Sequence, residues 1–437
     1  MEVVSLIGIL AAILIFIYLC VKGFNLVLSA LLAAFIILVT SGMPMLEVVK
    51  TAWAPGFASF IQNFFLIFVA GAIFGRLLND GGASKSIAMG IYQAISKLKR
   101  NQKFWAVAFV PLMYAILSYV GVSGLVIVYT VIDVSAELFK KFNIPWRLYT
   151  NGGSAVVGTL FLGGALQLTN ITPSQFTGQP ITAAMGLSII CALVFYAYQA
   201  FFIMYDLKVA EKRGEGFDET GAVFYQSMTA GGVDSDEDLP PVGLSVIPIV
   251  LMVFLAGVLK VDVLYAIIIA CLVCVLLFFK RYKSLNTTIT NALVSSYAPI
   301  FGVAATSAIG SVIKVVPGFG LVTAGLDSFD PLIKGVALIA LVSFITATGA
   351  GAINSFGAEV HTIFTQQAGL SAAVSHRLMT LASVTSISAH SPGVNNAMAL
   401  AKLEYKKGII VYLRTGFLGG ILALVVAIIL IKLGIFV

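Results

Sequence analysis

Polar residues able to hold a small anion gather at two pairs of interruptions in an otherwise apolar chain. In the first half, Gly121, Ser123 and Gly124 break one apolar stretch, and Gln167, Thr169, Asn170 and Thr172 end another just before Pro173. In the second half, Gly349, Gly351, Asn354 and Ser355 make the first break, and His390, Ser391, Asn395 and Asn396 surround Pro392 at the second. Between the breaks of each half stands an Arg-Leu-x-Thr element, Arg147-Leu148-Tyr149-Thr150 and Arg377-Leu378-Met379-Thr380. Glycines let backbone approach a ligand closely, and a helix beginning after a break offers unpaired N–H groups and a partial positive charge. Thr172-Pro173 and Ser391-Pro392 have the pattern of an N-cap followed by a first-turn proline, which fixes such a start. The breaks contain hydroxyls and amides but no Lys or Arg. The expected ligand is therefore a small carboxylate bearing hydroxyl groups, singly rather than multiply charged.

Coupling to an ion needs a group whose charge or ligation changes. His390 is the only histidine at a break, and imidazole titrates near about 6.5, so it is a candidate proton carrier; a neutral hydrogen-bonding role stays open. Asp133 and Glu359 occupy similar offsets beyond Gly124 and Gly351, and intramembrane carboxylates are candidates for ion coupling. Sodium is the alternative to the proton, because unwound carbonyls with Asn, Ser and Thr oxygens can hold it without a titrating residue. Neither an HExxH zinc pair nor a GxSxG nucleophile motif occurs, which disfavours an intramembrane enzyme.

The elements that must position these residues follow from composition. Of 437 residues, 59% are hydrophobic and 10% charged, with a mean hydropathy of +1.03, far from the roughly 25% charged share of soluble domains. Apolar runs of helix-spanning length predict an all-α polytopic membrane protein of about ten full spans plus two hairpins. The spans fall at 3–21, 25–40, 57–78, 148–168, 181–205, 243–259, 262–280, 296–314, 372–400 and 408–433; the hairpins are 104–138 and 334–366. Broken backbone at membrane depth survives only where protein or an aqueous cavity satisfies it. Paired interruptions in two apolar halves accordingly point to the shared site of a secondary transporter. The net charge of +7 lies in short loops and implies no nucleic-acid partner. Cys20, Cys191, Cys271 and Cys274 all sit in apolar runs and read as packing residues, with no metal and no cofactor implied.

Lys and Arg concentrate in alternate loops, which places both termini outside the membrane. That scheme puts Lys22, Lys402 and Lys407 on the cytoplasmic side, and Lys314 and Arg377 on the outer side. The chain divides into a first repeat (1–205), a polar linker (206–241) expected to be solvated and cytoplasmic, and a second repeat (242–437) inverted relative to the first. Trp53-Ala54-Pro55 and Tyr297-Ala298-Pro299 are expected to open the third span of each half. Residues 84–100 suit an amphipathic helix on the membrane surface.

Several stretches together resemble one family. Ala72-Ile73-Phe74-Gly75-Arg76-Leu77-Leu78-Asn79-Asp80-Gly81-Gly82-Ala83, Gly121-Val122-Ser123, Ala136-Glu137-Leu138-Phe139, Gln167 with Asn170-Ile171-Thr172-Pro173, and His376-Arg377 followed by His390 are similar to the gluconate:proton symporter family. The likeness is closest to its 3-hydroxybutyrate permease branch and covers essentially the whole chain. It implies membership of the ion transporter superfamily, two inverted repeats each with a hairpin and a broken helix, a homodimer, and elevator-like movement. It also implies proton-coupled uptake of a small hydroxy-carboxylate across the bacterial inner membrane. The chain departs from the gluconate branch at Leu166-Gln167-Leu168-Thr169-Asn170 and at Ala389-His390-Ser391-Pro392-Gly393.

Overall fold

A computed structural model describes all residues except 23, 120–123, 154–159, 166, 230–238, 258, 260 and 437. Every regular element among the described residues is helical. The first half runs through α1 (Glu2–Val21), α2 (Leu26–Ser41), α3 (Met45–Val48), α4 (Ala54–Asp80), α5 (Ala83–Ser96), α6 (Gln102–Tyr119) and α7 (Gly124–Lys141). Short pieces follow, α8 (Thr150–Gly153), α9 (Leu168–Ile171) and α10 (Ser174–Thr177), before the long α11 (Met185–Arg213) and α12 (Asp218–Thr229). The second half comprises α13 (Val242–Gly257), α14 (Val263–Phe278), α15 (Leu285–Val315), α16 (Gly318–Ala324), α17 (Pro331–Thr346) and α18 (Gly349–Thr362). It ends with α19 (Ala372–Ala382), α20 (Pro392–Leu400), α21 (Tyr405–Tyr412) and α22 (Leu418–Lys432).

Among the described residues, five helices are long and apolar enough to cross a membrane: Glu2–Cys20, Met185–Arg213, Leu264–Arg281, Leu285–Val315 and Tyr405–Lys432. The bent pair Met45–Gln62 and Phe64–Asp80 makes a sixth if it is one span, and Leu26–Ser41, Val242–Leu255 and Pro331–Thr346 are apolar but shorter. Two runs expected as single spans are not single helices. Residues 148–168 begin with a 3-10 turn and α8, and 372–400 divide into α19, a 3-10 turn at Ser383–Ser386 and α20. Apolar content alone made these runs look continuous, but Gly and Ser/Thr clusters within them release the backbone from the helical ladder.

The two expected hairpins are present as helix pairs, α6 packing on α7 and α17 on α18. Asp330 caps α17 by accepting from the Leu332 N–H at 3.1 Å, with Pro331 at the first turn, and Ala347 in the left-handed region turns the chain. Thr348 then caps α18 by accepting from the Gly351 N–H at 3.2 Å. The long helices α4 and α15 pack along each other, α2 lies on α15 and α14 on α4. Glycines set the closest approaches to the hairpins. A Cβ on Gly75 of α4 would lie 2.3 Å from the Tyr129 carbonyl oxygen of α7, and one on Gly310 of α15 would lie 2.7 Å from that of Thr346 in α17.

Pro55 stands in the first turn of α4, but residue 299 lies inside α15, which begins at its Ser284 cap. The segment 206–229 is not a solvated linker. Residues 206–213 extend α11, and α12 packs on α7 and on the turn at Trp146–Tyr149 with Phe217, Phe224 and Met228 buried. The aromatic residues spaced among its charges supply the apolar face that charge density concealed. Residues 83–96 form the expected helix, yet Ala83, Ser84, Ser86, Ile87 and Ala88 are buried, and Ser86 donates to the Pro240 carbonyl at 2.6 Å.

Candidate functional site

The first break of the first half, Gly121 and Ser123, lies outside the described residues; Gly124 opens α7. Its neighbourhood is marked by Ser118, near the end of α6, whose carbonyl accepts from the Gln167 side-chain amide at 2.6 Å. From Gln167 the chain enters α9, where the Thr169 carbonyl accepts from the Thr380 hydroxyl at 3.2 Å. A Cβ on Gly349 would lie 3.0 Å from Thr169 Cγ2 and 2.8 Å from Ser383 Cβ, so glycine is what permits this approach. The end of the first hairpin's leading arm, the break after it, the start of α18 and the turn after α19 thus form one continuous contact. Thr169 Oγ1 is buried there with no hydrogen-bond partner among the described residues.

Two residues of the helix break at 167–173, the first of the two helix breaks, are committed to the fold. Asn170 donates to the carbonyls of Leu162 and Ala165, each at 3.0 Å, and its Oδ1 accepts from Arg377 Nη1 at 2.6 Å. Thr172 does not cap a helix after Pro173; its hydroxyl donates to the Leu168 carbonyl at 2.7 Å within its own turn. Pro173 itself precedes the short α10. A hydroxyl in helical register satisfies itself on the preceding turn, which is why the expected N-cap does not form.

Arg377 departs furthest from its expected place at the outer membrane surface. It is 0% exposed, and its guanidinium also donates to the carbonyls of Ala183 at 3.1 and 3.0 Å and Ile181 at 2.8 Å. Its hydrogen-bond partners among the described residues are neutral oxygens. His376 beside it is also fully buried, with Nε2 3.2 Å from the Ser174 hydroxyl. A cation is therefore held against the first break by residues more than 190 positions away in sequence. The repeated Arg-Leu-x-Thr element was the signal for it, but loop charge counting assigned the arginine to topology.

At the second hairpin, Asn354, Ser355 and Glu359 lie on an exposed face of α18, with the Ser355 hydroxyl donating to the Gly351 carbonyl at 2.9 Å. Lys314, an exposed residue near the end of α15, is a second cation that the sequence did not connect with a break. A Cβ built on Gly351 would sit 3.4 Å from its Nζ, and no carboxylate among the described residues pairs with it. Tertiary packing has brought a positive charge to a break that carries none in its own sequence.

The second break behaves as its sequence suggests. Ser391 caps α20 by accepting from the Val394 N–H at 3.4 Å, and the Asn395 amide donates to the Ser391 carbonyl at 3.0 Å. His390 is buried, its Nδ1 3.1 Å from the Ser388 hydroxyl and its ring edge-on to Phe344 at 5.3 Å. His390 Nε2 is buried without a hydrogen-bond partner of good geometry, beside the backbone of Phe344 and Ile345. The cavity there, lined also by Thr306, Gly310, Thr346 and Ala347, is about 10 Å³, room for about one water and not for an organic acid. The Tyr405 hydroxyl donates to the Ala389 carbonyl, and α20 packs on α7 as well as α15. Both breaks consequently touch both hairpins.

Asp133 lies on α7 within an acidic group. Asp80 pairs with Arg76 at 2.9 Å and accepts from the Thr288 hydroxyl at 2.7 Å, while Glu137 accepts from the Tyr225 hydroxyl at 3.0 Å. Arg76, Asp80 and Glu137 are the charges that act on Asp133. Asp133 thus belongs to the first hairpin, His390 to the second break, and Glu359 to an exposed face of the second hairpin.

Comparison with known proteins places this arrangement. Residues 4–264 match the family model described as GntP family permease. The chain is 25% identical over 439 aligned positions to a Bacillus subtilis (strain 168) protein named as an uncharacterized transporter, covering 87% of this chain and 88% of that one. It is also 29% identical over 132 positions to a gluconate permease of Bacillus licheniformis, covering 30% of this chain and 28% of that one. With apolar helices throughout and polar breaks gathered in their interior, the chain is a multi-pass membrane transporter rather than an enzyme, and it belongs to the GntP family of permeases.

Proposed function

We propose that the protein takes up a small hydroxy-carboxylate, of the gluconate or 3-hydroxybutyrate kind, together with protons across a bacterial inner membrane. The observation that carries this reading is the meeting of both breaks with both hairpins, with Lys314 unpaired beside the Gly351 tip. An ammonium without a carboxylate partner beside the glycine-lined start of a helix favours an anion there, and a carboxylate supplies it. A single such charge suits a monocarboxylate. Thr348, Asn354 and Ser355 supply hydroxyl and amide groups for the remainder of the solute.

The order of elements repeats in the two halves, helix pair, long helix, short helix, hairpin, broken helix and closing helix, in support of two repeats. Reciprocal packing of α2 on α15 and α14 on α4 agrees with an inverted relation between them. Elevator-like movement of the hairpins and broken helices against these long helices, within a homodimer, follows from the same reading. Sodium coupling or exchange of another small carboxylate is the alternative.

Purified protein in proteoliposomes tests the proposal. Uptake of labelled 3-hydroxybutyrate or gluconate is expected to follow an imposed inward proton gradient, and uptake that ignores pH while following sodium would remove the proton. Replacing His390 by Gln, which keeps a hydrogen-bonding side chain but cannot titrate, is expected to flatten the pH dependence. If accumulation and its pH profile are unchanged, coupling belongs to the Asp133 group instead.

A further inference from the structure

A second, larger cavity opens beside the second break. It has a volume of about 410 Å³ and lies between the end of α1, the start of α2 and the end of α20, with Lys22, Asn395, Ala399, Lys402 and Tyr405 in its wall. Asn395 is 3% exposed and bonded to the Ser391 carbonyl, so the cavity reaches the capped start of α20. Tyr405 ties the same wall to the break itself through the Ala389 carbonyl. The charges are unbalanced. Glu404 also lines the cavity, but its carboxylate is paired with Lys407 at 2.8 Å, whereas neither Lys22 nor Lys402 pairs with a carboxylate among the described residues. Lys22 has a longer approach, 5.7 Å, to the Tyr18 ring.

We propose that this cavity is the mouth through which a small carboxylate passes between the second break and the cytoplasm, with Lys22 and Lys402 drawing the anion past Asn395. This rests on the transport reading above and adds the route and its selectivity for charge. A cleft lined by one sign of charge raises the local concentration of the opposite ion, so the two lysines act before the substrate reaches the break. The side on which Lys22, Lys402 and Lys407 lie is the one that the distribution of basic residues assigns to the cytoplasm.

The test reads charge selectivity in the mouth without requiring turnover. Ala399 and, separately, Phe24 at the opposite rim are replaced by Cys in a chain whose free cysteines, Cys20, Cys191, Cys271 and Cys274, are Ala. Modification by anionic sulfonatoethyl and cationic trimethylammonioethyl methanethiosulfonate is timed, each rate divided by that reagent's rate with a small free thiol. The normalised ratio is expected to favour the anion about tenfold at low salt and to fall to about one in Lys22→Gln/Lys402→Gln. A ratio near one in the parent at both reporter positions, or a preference that survives removal of both lysines, overturns the proposal. Proton-driven uptake is scored separately. If uptake fails while the lysine-dependent preference persists, the anion mouth stands and the substrate assignment falls.

Discussion

Arg147 and Arg377 open the same four-residue element, yet their surroundings have little in common. Arg147 donates from Nε and Nη2 to a single Glu215 oxygen, Oε2, at 3.0 and 2.6 Å, at the polar edge where α11 ends. Glu215 keeps a second cation, Arg213, at 3.6 Å. Arg377 is sealed in the interior and bonded to an amide and two backbone carbonyls. The first arginine completes an ion pair; the second stitches an irregular backbone together. A buried guanidinium can satisfy several carbonyls released from helix geometry at once, because its donors point in a fixed planar fork. The same motif therefore gives an edge contact in one half and an interior clamp in the other.

The comparison is most exposed to removal of the two side chains. Arg377→Ala strands the Asn170 oxygen and the carbonyls of Ile181 and Ala183, and is expected to cost about 4 kcal/mol of stability. Arg147→Ala leaves Glu215 with Arg213 and access to water, and is expected to cost about 1 kcal/mol. Denaturation midpoints in one detergent compare the two, and equal shifts would erase the distinction. Next in size is a contrast between the long helices. Gly75→Ala forces a methyl to 2.3 Å from a backbone oxygen, against 2.7 Å for Gly310→Ala. Overpacking of about 3 kcal/mol is expected for the first and about 1 for the second.

Lys314→Gln is expected to raise the KM for the carboxylate about tenfold, or about 1.4 kcal/mol of lost binding, with Lys314→Arg closer to the parent. Lys50→Gln, removing an exposed lysine of the turn that precedes α4, is expected to change nothing measurable in the same uptake assay. The smallest expected effect is the most pointed. Asn170→Asp would give Arg377 the carboxylate that Arg147 already has, and stability is expected to stay within about 1 kcal/mol of the parent, because desolvation and the lost donations to the Leu162 and Ala165 carbonyls offset the attraction. A large gain would mean that the interior arginine is electrostatically starved, and not merely bonded.

Much of the site was legible because broken helices need particular residues. Ser391-Pro392 caps α20, Thr348 and the glycines after it start α18, and Gln167, Thr169, His390 and Asn395 all lie where breaks meet hairpins. Thr172 misled because one residue type can cap a helix or bond back into its own turn, and local sequence does not choose. Lys314 and Arg377 were hidden for a different reason. Near the ends of apolar runs, a basic residue has an ordinary explanation in topology, and only packing reveals that Arg377 is buried and that Lys314 stands beside the Gly351 tip. The helix at 218–229 was missed because its charges outweighed the spacing of Phe217, Phe224 and Met228.

Composition alone determined the solvent: a chain this apolar must satisfy its backbone within lipid, so helices and buried breaks were obligatory. Order along the chain determined which breaks correspond. What only the tertiary structure decided is where charge stands relative to them. Electrostatic partners are set by distance in space, and the two cations now beside the breaks come from α15 and α19, elements that neither break contains. Folding thus supplied what the break sequences lacked, a positive charge beside the Gly351 tip and another against the freed carbonyls of Ile181 and Ala183.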